Sequence, residues 1–248
     1  MIKVVILGSG NVATHFAKAF QQANNIELIQ IYNHKPESLK KFKNIETTTE
    51  LDKVKNADFY LVCVNDDKIE KLITALNKPK SIVAHTSGSL SLLNAPCRNA
   101  VFYPLQTFSK NKSLSFKNLP ICIETEYKKD IHTLKVIVEN INAKVYEVNT
   151  SQRQELHLVA VFVCNFVNYL YHIGYEICSQ KNLPFDILKP LINETADKIN
   201  YTIPQKAQTG PAIRNDLSTI NRHLKQLENS KYKELYRYLT TSIQKTYE

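Results

Sequence analysis

Apolar positions in the first part of the chain fall into short blocks that read as strands: Ile2–Leu7, Glu27–Tyr32, Phe59–Val64, Ser81–Ala84 and Ala100–Tyr103. Between them, Val12–Ala23, Pro36–Lys43 and Lys68–Asn77 carry helical patterns. The first of these helices has an apolar stripe at Val12, Phe16, Ala19, Phe20 and Ala23. Strand and helix in alternation predict a mostly parallel sheet with right-handed crossovers. A further unit follows, with strand at Pro120–Glu124, helix at Lys128–Asn142 and strand at Lys144–Val148. After about Asn149 the strand signals stop. Glu155–Gln180 reads as one long, mainly apolar helix, and helical patterns resume at Asp186–Asn200, Leu217–Asn229 and Lys231–Gln244. The expectation is an α/β domain over residues 1–149 and an all-α domain over residues 150–248.

The turn after the first strand adds chemistry to this pattern. Gly8-Ser9-Gly10-Asn11-Val12-Ala13 is a G-x-G-x-x-A sequence between a buried strand and a helix, the phosphate-binding corner of a Rossmann-type dinucleotide fold. Gly8 permits the tight turn, Gly10 leaves room for a pyrophosphate, and Ala13 lets the helix lie close to the sheet. The helix N-terminus offers unpaired N–H groups to the phosphates. The second strand ends Tyr32-Asn33-His34-Lys35, with no acidic residue to accept both adenosine ribose hydroxyls. Asn33, His34 and Lys35 offer donors and positive charge to a 2′-phosphate, so the expected cofactor is NADP rather than NAD. Val64 and Asn65 follow another strand and fall near the ribose that leads to the nicotinamide. Asp66 or Asp67 reads as a cap of the next helix.

Composition narrows the setting. The 248 residues carry a formal charge of +9, spread along the whole length without the Lys/Arg clusters and interleaved aromatics of a nucleic-acid binder. The five cysteines are widely spaced, without metal-ligand spacing, and read as reduced core thiols. No metal site is expected. No stretch is expected to approach the roughly 20 uncharged apolar residues of a membrane span, and the first strand leaves no room for a signal peptide. The expectation is a cytoplasmic protein without a membrane or nucleic-acid partner.

Ligands in an open α/β sheet bind beyond the carboxyl ends of the strands. His85, Thr86, Ser87 and Ser89 follow one such strand; Tyr103, Gln106 and Thr107 follow the next. Thr86 and Ser87 are candidates for cofactor contact, and Ser89, Tyr103, Gln106 and Thr107 for substrate contact. His85 either belongs to the catalytic set or closes its strand by bonding the backbone. On the long helix, His157, Asn165, Asn168 and His172 fall within an arc of about 80° at 100° per residue. That polar stripe either satisfies itself or an interface, or it faces a substrate, with His157 and Asn165 catalytic and Asn168 binding. Arg214, in a loop after Gly210-Pro211, either grips an anion bidentately or braces the loop with Asp216.

Four stretches together carry a family resemblance: Ala84–Leu90 (AHTSGSL), Phe102–Ser109 (FYPLQTFS), Glu155–Phe162 (ELHLVAVF) with Asn165 and Asn168, and Gln208–Asp216 (QTGPAIRND). The set resembles the bacterial Rossmann-like proteins with a C-terminal DUF2520 domain, which are described as NADP oxidoreductases and are related to pyrroline-5-carboxylate reductase and deazaflavin-dependent NADP reductases. The resemblance implies a Rossmann domain, a C-terminal domain like that of 6-phosphogluconate dehydrogenase, and a dimer. It implies no substrate. The expected function is NADP-dependent hydride transfer to or from a small, anionic carbonyl or imine compound, in a homodimer joined through the α-helical domain. The alternative is a non-catalytic NADP-binding regulatory protein.

Overall fold

The computed structural model describes residues 1–110 and 112–247, and the chain divides into two compact units, Met1–Val163 and Cys164–Glu248. The first unit runs β1 (Ile2–Leu7), α1 (Asn11–Gln22), β2 (Ile26–Tyr32), β3 (Thr47–Thr48), β4 (Phe59–Val62), α2 (Asp66–Leu76), β5 (Ile82–His85), β6 (Arg98–Pro104), β7 (Pro120–Thr125), α3 (Asp130–Asn140), β8 (Lys144–Glu147) and α4 (Thr150–Ala160). The strands form one sheet in the order β3-β2-β1-β4-β5-β6-β7-β8. Every pairing is parallel except β6 with β7.

The period of two along the central strands explains the near-continuous apolar runs. Val4, Ile6, Phe59, Leu61 and Ala84 join one core cluster, while Val5, Leu7, Tyr60, Val62 and Val83 join another on the opposite face. Both faces are covered, so no polar alternation is needed. Phe16 of α1 anchors the first cluster against Phe102 and Phe116, with ring centroids 5.7 and 5.1 Å away.

Two local expectations change. The helix expected over Pro36–Lys43 is a single 3-10 turn, Pro36–Ser38. That turn and the bends after it already bury Leu39 and Phe42, which leaves a longer helix nothing more to cover. The two-residue β3 pairs with β2 and is too short to show a pattern. The long helix starts earlier than expected. Asn149 accepts the Gln152 N–H and Gln152 reaches back to the Asn149 N–H, a capping box. The helix then passes through a π segment, Val161–Phe166, before α5 (Val167–Gln180). A π turn closes i→i+5 bonds and advances less per residue than an α turn. The 100° count that aligned His157 with Asn165, Asn168 and His172 does not carry across it.

The second unit continues with α6 (Lys189–Asp197), α7 (Pro204–Ala207), α8 (Leu217–Gln226) and α9 (Lys233–Tyr247). Asp216 caps α8 by accepting the Thr219 N–H at 3.0 Å. Those hydrogen bonds hold its carboxyl down at about 2. Thr150–Gln180 forms 31 continuous helical residues with a window of mean hydropathy 1.5, long and apolar enough to cross a membrane by length and composition. The expectation that no stretch approaches a span is corrected on that point. From Leu156 to Tyr175 the helix carries no Asp, Glu, Lys or Arg, and its amides and histidines had masked the run.

Candidate functional site

The carboxyl ends of β1, β4, β5 and β6 lie along one edge of the sheet, because these strands are mutually parallel. At the first of them, Gly8 has φ +127° and its N–H donates to the Tyr32 carbonyl at 2.8 Å. A Cβ at Gly8 would stand 2.2 Å from the Cys63 carbonyl oxygen, so only glycine lets β1 turn here against β4. A Cβ at Gly10 would meet nothing within 4 Å. That open space lies at the N-terminus of α1, which has no side-chain cap and no acidic residue in its first turn. The start of α2 is the opposite, with Asp66 and Asp67 in its first turn. Of the two helix starts, that of α1 is the one arranged for an anion.

A cavity of about 690 Å³ opens beside this corner. Gly8, Ser9, Gly10, Asn33, His34, Lys35, Val64 and Asn65 all line it, together with Lys68 and Lys71 of α2. Asn33 donates to the Ser9 hydroxyl at 2.6 Å and accepts the Lys35 N–H at 2.9 Å, which ties the end of β2 to the glycine turn. Lys41 was not singled out from the sequence. Its ammonium donates to the Ser9 carbonyl at 2.5 Å, and burial, then the neighbouring Lys110, pulls its pKa below the usual lysine value. An anion at this corner would relieve that strain on its charge. The side chains of two other candidates turn elsewhere, leaving only their backbone at the corner: Asn11 donates to the Phe108 carbonyl at 3.0 Å, and Val12 packs on the core.

The 85–91 loop is bound from three sides. His85 is 1 % exposed. Its Nδ1 accepts the Ser87 N–H at 3.2 Å, so Nε2 carries the ring proton toward the Ser91 carbonyl at 3.2 Å. Burial, then the charge of Arg153, pushes its pKa down to about 4. Neither Asp66 nor Asp67, expected as alternative caps of α2, stands at its N-cap, which is Asn65 and has no side-chain cap bond; the Asp66 carboxylate instead accepts the hydroxyls of Ser87 and Ser89, each at 2.7 Å. Thr86 donates to the Val62 carbonyl at 3.2 Å. The third tie is Arg153, fully buried on α4. Its Nη1 donates to the carbonyls of Leu90, Gly88 and Ser87 at 2.6, 3.2 and 3.3 Å, and its Nη2 to Glu124 at 2.8 Å. A buried arginine needs such a counter-charge and such acceptors.

One turn further along α4, His157 meets Tyr103 at the end of β6. Tyr103 Oη and His157 Nδ1 are 3.1 Å apart, with the rings edge to face. Gly88 lies directly against them: a Cβ there would stand 2.7 Å from His157 Nδ1 and 2.9 Å from Tyr103 Cζ. His85, Ser87, Ser89, Tyr103 and His157 therefore form one cluster of strand end, loop and helix. Gln106 and Thr107 bond each other locally at 2.8 Å and are exposed. Asn165, Asn168 and Arg214 belong to the second unit, where all three are exposed. Among the described residues no group of three or more His, Cys, Asp or Glu side chains is placed to hold a metal.

The family model for NADP oxidoreductase, coenzyme F420-dependent, matches residues 3–88, and that for the domain of unknown function DUF2520 matches residues 119–243. No curated protein matches the chain. Among solved structures, the chain is similar to BF3122 of Bacteroides fragilis, provisionally named an NADP oxidoreductase, at 36 % identity and a TM-score of 0.90 over 98 % of either chain. It is also similar to protein TM1727 of Thermotoga maritima, at 20 % identity and 0.72 over 98 % of either chain. Pyrroline carboxylate reductase of Plasmodium falciparum with NADP bound follows at 12 % and 0.63, covering 99 % of this chain and 97 % of that one; these last two likenesses are of fold. The glycine corner, the parallel sheet, the helical C-terminal region and these matches agree: the chain belongs to the DUF2520 family, joined to a Rossmann domain of the NADP oxidoreductase type.

Proposed function

We propose that this protein is an NADP-dependent oxidoreductase that moves a hydride to or from a small, anionic carbonyl or imine compound. The observation that carries the reading is the open, uncapped N-terminus of α1 over Gly10, flanked by His34, Lys35 and Lys41. The residues fit a dinucleotide phosphate. Gly10 and the α1 amides take the pyrophosphate, and the basic side chains at the end of β2 take a 2′-phosphate. Bound NADP supplies the hydride chemistry, and the chain supplies the rest.

Tyr103 and His157 stand at the strand-end edge, where a proton donor serves the substrate heteroatom. Ser87 and Ser89, whose hydroxyls donate to Asp66, form the loop beside them. With both ring nitrogens on the backbone, His85 serves as a neutral brace of this loop. Arg214 is the candidate grip for a substrate carboxylate or phosphate, with Asn165 and Asn168 as further polar contacts. A second copy of the chain is the proposed cover for the apolar helix Thr150–Gln180, whose exposed residues include Leu158, Val159, Leu170 and Tyr175. A cytoplasmic location suits an NADP enzyme of this kind.

The reading is tested by titrating the protein with NADPH and NADH and then following NADPH oxidation with a panel of small keto acids, aldehydes and cyclic imines. Tight NADPH binding with turnover of at least one compound is expected. Absence of NADPH binding overturns it. Light scattering tests the dimer, with Leu170→Glu expected to yield monomers.

A further inference from the structure

We infer that Tyr103 is the residue that hands the proton to the substrate, and that His157 acts through it as a positioning residue that also restores the proton. This deepens the oxidoreductase reading and rests on it.

The argument starts from what each side chain touches. Tyr103 ends a central strand at the same edge as Gly8, Asn65 and Ser87, and is nearly buried. His157 Nδ1 is committed to the Tyr103 hydroxyl at 3.1 Å, and the ring is held against the Gly88 backbone. That ring nitrogen is thus already used by the tyrosine, and the tyrosine oxygen is the atom through which a proton would pass on.

Three features hold the pair. Arg153, one turn before His157, fastens α4 to the carbonyls of Ser87, Gly88 and Leu90. Gln154 donates to the Ser89 carbonyl at 2.7 Å from the same helix. Gly88 has no side chain, which is the only way the loop can approach both rings. Among the described residues, the elements that carry the pair bring these charged and titratable groups. Arg153 and Glu124 neutralise each other, Cys122 is the cross-strand partner of Tyr103, His85 is held neutral, Asp66 is bonded to the serines, and Glu155 on the same helix is exposed.

The step balances as follows. As the substrate carbon gains the hydride that bound NADP would supply, the π electron pair shifts onto the oxygen or nitrogen. That atom takes the Tyr103 Oη proton while Tyr103 takes the Nδ1 proton of protonated His157. Solvent protonates His157 again after product leaves. The net change is one hydride and one solvent proton added to the substrate, with both side chains restored.

The test uses the full-length protein and three variants: Tyr103→Phe, His157→Gln and Gly88→Ala. The last introduces a methyl that must displace one or both rings while removing no functional group. In the cofactor-free protein, the His157 ring NMR signals are expected to shift in both Tyr103→Phe and Gly88→Ala. In turnover with the best substrate of the panel, Tyr103→Phe is expected to lose about 100-fold or more in kcat, with NADPH affinity unchanged. The alkaline limb of the wild-type pH–rate profile is expected to coincide with the His157 titration and to vanish in His157→Gln. Turnover of Tyr103→Phe within about threefold of wild type, or a limb that survives in His157→Gln, overturns this inference alone. A wild-type protein that binds NADPH and shows the NMR coupling, yet turns over no member of the panel, overturns the enzymatic reading and this inference with it. Should Tyr103→Phe fail to fold, Gly88→Ala and His157→Gln decide by the same two readouts.

Discussion

The two ends of the chain treat their apolar residues in opposite ways. Before Leu158, the only large exposed hydrophobics among the described residues are Met1, Tyr127 and Tyr146. From Leu158 onward the exposed set runs through α4, the π segment, α5 and the later helices, with Leu191 at 63 % and Tyr201 at 86 %. The three hydrophobic clusters draw on residues no later than Leu156. A doubly covered sheet satisfies its own apolar faces within one chain. A long apolar helix followed by short ones has more apolar surface than its own unit covers, and that surplus is what a second copy would take up.

The contrast is sharpest in stability. Phe16→Ala, in the centre of the first core, is expected to destabilise the protein by about 3–5 kcal/mol. Leu191→Ala should fall within about 0.5 kcal/mol in the monomer. Chemical denaturation of both variants checks this, and comparable losses would erase the distinction between the two regions.

Acid should strike the same first unit through the 85–91 loop. The folded-state pKa of His85 is lowered to about 4 from an ordinary 6.5. Its contribution is therefore fully present above pH 6.5 and lost as pH falls toward 4, where the unfolded chain takes a proton that the folded one refuses. The expected loss is about 3 kcal/mol. Denaturation midpoints measured between pH 7 and 4 should fall in wild type and flatten in His85→Asn. An equal slope in both would remove His85 from the cause.

Within the glycine corner, two neighbours should separate folding from binding. Gly8→Ala forces a side chain into positive φ and onto the Cys63 carbonyl, and should destabilise the fold by about 1–3 kcal/mol. Gly10→Val meets open space, so its thermal midpoint should match wild type while NADPH binding is lost. Normal NADPH affinity in a folded Gly10→Val protein would contradict the phosphate assignment. A smaller effect is expected from Lys41→Met. Removing one charge-assisted contact should weaken NADPH by roughly tenfold, read by the same titration.

The legible part of the molecule is the part governed by local pattern. Strands such as Ile2–Leu7 announce themselves by continuous apolar runs, and the glycine turn by its spacing. Asn33, His34 and Lys35 could be placed because a strand end in a parallel sheet has only one edge to face. What stayed hidden depends on partners far away in sequence. Arg153 finds its carbonyls 63 to 66 residues back, and Lys41 reaches Ser9 across 32. Asp66 reads as a helix cap until the serines, 21 and 23 residues on, claim its carboxylate. A signal for Arg153 was present nonetheless: an arginine at the start of an apolar helix, four residues before a histidine. The π segment had no local mark at all, and the 100° count that aligns His157 with Asn165 does not hold across it.

The central claim is that the open corner at Gly10, with its basic flank, holds NADP. Fluorescence titration of the full-length protein with NADPH and NADH under one buffer tests it most directly. NADPH is expected to bind about ten- to a hundredfold more tightly, the worth of a charge-assisted contact to the 2′-phosphate. Equal affinities, or tighter binding of NADH, would contradict it.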